Sequence, residues 1–333
     1  MNFVINPTAK VLRAATVMVA AAIIWLLAIV PARAEPAKVE VGIFVSSVYD
    51  LDFYEETFQA IVWLWFVHDD PQFDPLDSIE FTNAREYERL ESYGRFREDG
   101  RRYVAAKYRL LVNQGWDLAD FPFDRQELEI VLESVGRDAS QLEFVFDGAN
   151  SVLAQDLTLN GWSPGPVRGE PKVFTYNTTF GEESTELLSF PRVEFSVPLK
   201  RDNPKLFFEA YIGYLIAVLM CATIWLTSAS GMPDYRIGMI LAAIFSSIGN
   251  KHVLESNYPS SPTLGLADHL EISTFLLIAA SMVLSVGCER LHLIGRDRLA
   301  RRLNFVGIPI LLSVYAIFFI VFVTAAATGG SAR

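Results

Sequence analysis

Cysteine and histidine are both scarce in this sequence. Cys221 and Cys288 are the two cysteines among 333 residues. Both sit inside apolar runs, where cysteine behaves as a small packed hydrophobe. A disulfide framework in the rest of the chain is thereby excluded. The four histidines, His68, His252, His269 and His292, are scattered, with no nucleophile or metal-ligand spacing around them. No metal, no cofactor and no enzyme chemistry is expected from such a set. Basic patches interleaved with aromatics are missing too, which argues against a nucleic-acid partner. Lys and Arg total 28 against 39 Asp and Glu, a net charge of -11. The acidic excess is concentrated in residues 35–201, a field that enriches cations locally but is screened by salt.

Apolar sequence is abundant. Hydrophobic residues make up 51% of the chain and its mean hydropathy is +0.27. That is too apolar for an ordinary soluble enzyme and long enough for two domains. Residues 35–201 are mixed, while 202–333 hold nearly all the long apolar runs. Lys10 and Arg13 precede an apolar stretch over 14–30 and then Ala32-Arg33-Ala34. This reads as a secretory signal over 1–34, the alternative being an uncleaved anchor helix.

Four apolar segments follow Arg201, over 207–227, 235–254, 270–288 and 305–324. Each approaches the roughly 20 residues that a helix needs to cross a bilayer. The second carries Arg236, Ser246, Ser247, Asn250 and Lys251, too polar to face lipid all round. Arg290, Arg296, Arg298, Arg301 and Arg302 place the connection after the third segment in the cytoplasm. The stretch 255–269 has no Lys or Arg and is expected outside. Both the 35–201 domain and the C-terminus then lie on the periplasmic side of a bacterial inner membrane. An exported N-terminal domain requires the same placement.

Residues 38–200 read as strands over 38–48, 58–67, 102–112, 126–132, 141–146, 172–179 and 191–199. Val193, Phe195, Val197 and Leu199 alternate with polar residues. Turn clusters such as 147–150 and 163–166 separate the strands. The expected fold is an all-β immunoglobulin-like sandwich followed by a four-helix transmembrane bundle. A short helix is allowed before the first strand or near 83–91.

Residues 116–126 read Trp-Asp-Leu-Ala-Asp-Phe-Pro-Phe-Asp-Arg-Gln. The core Phe121-Pro122-Phe123-Asp124-x-Gln126 resembles the signature loop of the pentameric ligand-gated ion channels, the Cys-loop receptor superfamily. Animal members flank that core with a disulfide. Here Gln114 and Leu128 stand at those positions, as in bacterial members. The stretches 41–52, 62–66, 161–162, 201–204 and 255–259 resemble the bacterial branch too, so the likeness covers residues 35–333. His68 departs from it, standing where the family usually has Trp. Gly213 lies near the place where relatives carry a helix-kinking Pro.

The resemblance implies a homopentamer whose second spans line a pore for monovalent cations, in contact with membrane lipid. With the register of Glu255–Pro259, the pore-lining residues are Asp234, Gly238, Ala242, Phe245, Gly249 and His252. Asp234 would form an acidic ring and Phe245 a hydrophobic constriction. Polarity favours a competing register in which Arg236, Ala243, Ser247 and Asn250 face water. The resemblance also implies coupling through Asp52 (or Asp50), Asp124 and Arg201, with Pro122 apposed to the loop 258–262 that holds Pro259. A small-molecule ligand, an amine among the candidates, or protons would open the pore. The ligand would sit between subunits near Tyr176, Phe180 and Phe190. Trp63 and Trp65 join that set, read as pointing to opposite faces of the second strand. The alternative function is a non-conducting membrane receptor or scaffold that retains the fold.

Overall fold

The computed structural model describes residues 35–70, 73–181, 187–227, 233–259 and 263–329, together with Met18. The signal sequence expected over 1–34 (Met18 aside), the helix allowed before the first strand, and Pro262 lie outside the described residues.

Strands β1 to β11 build two sheets. They are β1 (Ala37–Asp52), β2 (Thr57–His68), β3 (Ile79–Phe81), β4 (Ala84–Phe96), β5 (Arg102–Asn113), β6 (Arg125–Ser134), β7 (Leu142–Phe146), β8 (Val152–Leu153), β9 (Trp162–Pro164), β10 (Arg168–Thr175) and β11 (Ser189–Arg201). The first sheet runs β4-β5-β2-β1-β7, with β8 on β1, and the second runs β10-β11-β6-β3, with β9 on β11. Alternation drives their packing. Val62, Leu64 and Phe66 from β2 meet Val193, Phe195 and Val197 from β11 in one core. Residues 83–91 are not helical. From Ala84 on they belong to β4, which pairs along β5 from Ala84 opposite Val112 to Phe96 opposite Arg102. Dense charge there suits an edge strand. The strand expected over 172–179 runs Arg168–Thr175 instead, and Phe180 sits in the turn at positive φ.

Four helices follow: α1 (Pro204–Trp225), α2 (Pro233–Asn257), α3 (Leu266–Leu293) and α4 (Asp297–Thr328). All four are long and apolar enough to cross a membrane. Pro204 starts α1 with a preset φ, and Gly329 ends α4 in the left-handed conformation. At 32 residues, α4 spans about 48 Å, well beyond the roughly 30 Å of hydrocarbon. The arginines of 290–302 therefore lie mostly on the overhanging ends of α3 and α4. The loop between those helices shrinks to 294–296. α2 rests on α1 and α3, while α4 rests on α3 and α1.

A second hydrophobic cluster joins the two halves. Leu118 and Phe121 pack with Tyr211 and Tyr214 of α1, Leu254 of α2, and Leu266 and Leu270 of α3. The 116–126 loop is thus pushed into the top of the bundle. Gly265 is required there, because an added Cβ would lie 2.7 Å from the Ala119 carbonyl oxygen.

Candidate functional site

The junction is organised around one guanidinium. β11 pairs antiparallel with β6 as far as Lys200 opposite Arg125, which sets Arg201 beside Asp124. Arg201 donates from Nε to Asp124 Oδ1 at 2.6 Å and from Nη2 to Oδ2 at 3.0 Å. Their side chains are 5% and 1% exposed. Gln126 donates to Asp124 Oδ2 at 2.8 Å and to the Asp117 carbonyl at 2.7 Å. The Asp-x-Gln spacing thereby ties the loop to the strand that follows it. Four rings surround the guanidinium carbon, with centroids at 4.1 Å for Trp162, 5.0 Å for Phe121, 5.6 Å for Phe53 and 6.0 Å for Tyr258. Three come from the sandwich, and Tyr258 follows α2. Such a cage replaces part of the lost hydration through cation–π contact.

Direct bonds cross the same boundary. Tyr211 donates to the Phe121 carbonyl at 2.6 Å, and the Leu266 amide donates to the Ala119 carbonyl at 2.7 Å. Tyr54 donates to the Glu255 carbonyl. Pro122 is buried in this contact, preceded by a cis peptide bond. Pro259 lines a cavity of about 80 Å³ with Lys251, Glu255, Asp268 and Glu271. Asp52 does not join the ion pair. Its carboxylate accepts from the amides of Tyr54 and Glu55 at 2.9 Å each and caps its own turn. Asp50 accepts from Gln59 at 3.0 Å. The neighbour that reaches Arg201 is Phe53.

On α2, Asp234, Gly238, Ala242, Phe245, Gly249 and His252 all point away from the other helices. Phe245 is 71% exposed. They fall within an arc of roughly 80°, counted at 100° per residue. Arg236, Ala243, Ser247 and Asn250 are buried on the opposite side, against the chain's other helices.

The nominated ligand residues fall in two places. Tyr176 packs with Phe174 (4.9 Å), Phe180 (5.1 Å) and Phe190 (6.0 Å) beside the β10–β11 hairpin. Its hydroxyl donates to Glu133 at 2.7 Å, and Arg192 donates to the same carboxylate at 2.8 Å. The Arg192 guanidinium lies 3.7 Å from the Phe174 centroid. Glu80 faces Glu133 across β3 and β6. Burial first, then the Glu133 charge, hold its carboxyl above the ordinary value of 4.5. Trp63 and Trp65 are elsewhere, on the first sheet. They are two residues apart and so share one face, the outer one, while Val62, Leu64 and Phe66 point inward. Trp65 lies over Gly42, where a Cβ would be 2.2 Å from its ring, and donates to Asp147 at 3.0 Å. Trp63 packs on Tyr93 at 6.0 Å, with the Lys107 ammonium 5.9 Å from its centroid.

Sequence reading missed Arg192, Glu133 and Phe174. The alternation along β11 that puts Phe195 inside puts Arg192 and Glu194 outside, so the signal was there. The Arg192–Glu133 pairing needed the β6–β11 register. No family model matches this chain, and no curated protein matches it.

Proposed function

We propose that this chain is the subunit of a homopentameric ligand-gated channel of the Cys-loop receptor superfamily, bacterial branch, and not an enzyme. One observation carries the reading. The helix with the most polar sequence turns Asp234 and His252 outward, on the same face as Phe245 and away from its own bundle. Charge on that face is costly in lipid. Five copies around an axis turn it into the wall of a pore. Asp234 then rings one mouth and favours cations, and Phe245 forms a constriction that closes by dewetting. The sandwich and the C-terminus lie on the periplasmic side of the inner membrane, as the arginines at the α3–α4 end require.

Ligand binds between subunits. Phe190 on β11, with Tyr176 and Phe180 beyond the end of β10, belongs to one sheet's hairpin and Trp63 to the other sheet, and a head-to-tail contact would bring the two sets together across a subunit boundary. A small amine or a proton is the activating species. Moving closed:open from 99:1 to 1:99 takes about 5.5 kcal/mol of preference, or about 1.1 kcal/mol at each of five sites. The aromatic cage around Arg201 carries the signal to the loop after α2.

A second reading is a non-conducting receptor of the same fold. The Gly, Ala and Phe residues of the outward face favour it, since they supply no hydroxyl ring for a hydrated ion. Current from purified pentamers in liposomes, scanned across pH and an amine library, decides between them. Intact pentamers silent under every condition would leave the second reading standing.

A further inference from the structure

α2 is attached to α1 through polar side chains at two heights. In the half nearer the sandwich, Asn250 reaches into the α1 backbone. Its Oδ1 accepts from the Gly213 amide at 2.9 Å, and its Nδ2 donates to the Ala210 carbonyl at 3.0 Å. Ser246 donates to the Gly213 carbonyl at 2.8 Å. The helices can approach this closely because residue 213 is glycine. An added Cβ would lie 2.5 Å from Asn250 Cβ and 2.9 Å from the Ser246 carbonyl oxygen. At the far end, Arg236 donates to Thr227 Oγ1 at 3.0 Å, to the Thr227 carbonyl at 3.3 Å and to Asn304 Oδ1 at 2.5 Å. Thr227 lies just past the end of α1, whose free carbonyls carry partial negative charge. Arg236 is 4% exposed and Asn250 8%. The two attachments are 14 residues, or about 21 Å, apart along α2.

We infer that Asn250, with Ser246, is a positioning residue that fixes the rotation of α2 about its own axis, and so selects which residues look toward the axis of the assembly. The inference rests on the reading of α2 as the pore-lining helix. The physical reason is the solvent. A partial turn of α2 would pull the Asn250 amide off both backbone partners while it is still packed between helices, where no water replaces them. Single interhelical hydrogen bonds in membranes are weak, but a side chain gripping a backbone donor and acceptor together has one rotation that satisfies both. α1 and α2 then turn together, and motion of β11 at Arg201 passes through α1 to α2.

The test uses full-length protein in membranes, with Cys221→Ala and Cys288→Ala. Single cysteines are placed by Phe245→Cys, Ile248→Cys and Ser247→Cys. In this background a small permeant maleimide labels positions 245 and 248 and spares 247. Adding Asn250→Ala, or Gly213→Ala, is expected to raise labelling at 247 roughly tenfold and to lower it at 245, the size of shift that losing this clasp allows. Leu277→Ala loosens the same bundle without touching the clasp and is expected to leave the pattern alone. An unchanged pattern in both clasp variants overturns the inference, and so does an equal shift in Leu277→Ala. A charged, impermeant reagent separates the two readings. If it fails to reach Phe245→Cys from either side, the pore assignment falls, while the permeant pattern still judges the clasp.

Discussion

Arg201 and Asp124 face each other as a two-pronged ion pair, closed off from water by aromatic rings from both halves of the molecule. Removing one partner leaves an uncompensated buried charge, which costs about 3–5 kcal/mol. Arg201→Gln and Asp124→Asn are each expected to lower the melting temperature and to abolish ligand-evoked current. Removing both charges together should cost less than the sum, because no charge is stranded. Arg201→Lys keeps the charge but loses the planar fork, so activation should be impaired with assembly intact. Thermal melts and concentration–response curves on the four proteins check this. Additive effects would show that the pair does not act as a unit.

Two kinds of titratable group give the sandwich opposite responses to acid. His68 is 2% exposed at the end of β2, with Phe73 edge-on at 5.4 Å, and Arg102, Asp70 and Asp74 around it. Burial, then the Arg102 charge, lower its pKa from 6.5, and the two aspartates oppose them. The unfolded chain therefore takes up this proton first. The contribution of His68 is present above pH 6.5 and is lost as pH falls through the depressed value. Glu80 and Glu129 behave in the opposite sense. Burial and neighbouring glutamates raise both from 4.5, so their contribution is full below 4.5 and is lost as pH rises through the raised values. Between about pH 7 and about pH 5.5 the histidine effect dominates, since its ordinary titration lies in that window. His68→Phe is expected to remove the drop in melting temperature over that interval. An identical drop in the variant would rule out His68 as its source.

Much of this arrangement can be read in the sequence, and the missing parts share one cause. Period-two alternation marks β11, and apolar length marks all four helices, because those signals are local. The 116–126 loop is legible through its resemblance to a known signature, and its bonds from Gln126 to Asp124 and Asp117 appear only in the fold. Asp52 caps its own turn through the amides of Tyr54 and Glu55, bonds that no sequence pattern announces, whereas the shared face of Trp63 and Trp65 follows from their spacing of two alone. The Arg192–Glu133 pair depends on a strand register, and the Asn250–Gly213 clasp on a helix crossing. The short helix allowed near 83–91 is instead strand from Ala84 onward, because pairing with β5, a distant segment, decides its state.

Arg192 already places a cation on the aromatic cluster, 3.7 Å from the Phe174 centroid and bonded to Glu133. An amine ligand would have to compete with it. Arg192→Gln should free Phe174 and one of the Glu133 oxygens, and so raise amine sensitivity by about thirtyfold, in line with a desolvated cation–π contact of about 2 kcal/mol. A ligand recognised through its own carboxylate would lose affinity instead. Concentration–response curves for an amine and for the matching amino acid, measured on wild type and variant, separate the two.

The outward face of α2 makes two separable predictions about permeation. In the proposed pore Asp234→Asn would remove the charge ring, and it is expected to shift the reversal potential in a salt gradient toward zero without changing the gating threshold. Phe245→Ser replaces the exposed ring with a small hydroxyl, and a narrow apolar section that becomes hydrophilic no longer excludes water. That variant is expected to leak without ligand and to need less ligand for full opening. The two effects should be independent, because the residues are 11 positions apart, about 16 Å along the helix. Reversal potential and resting leak measured on both single variants and the double test this. A leak in the Asp234 variant, or an altered reversal potential in the Phe245 variant alone, would mean that charge and constriction do not sit at separate levels of one pore.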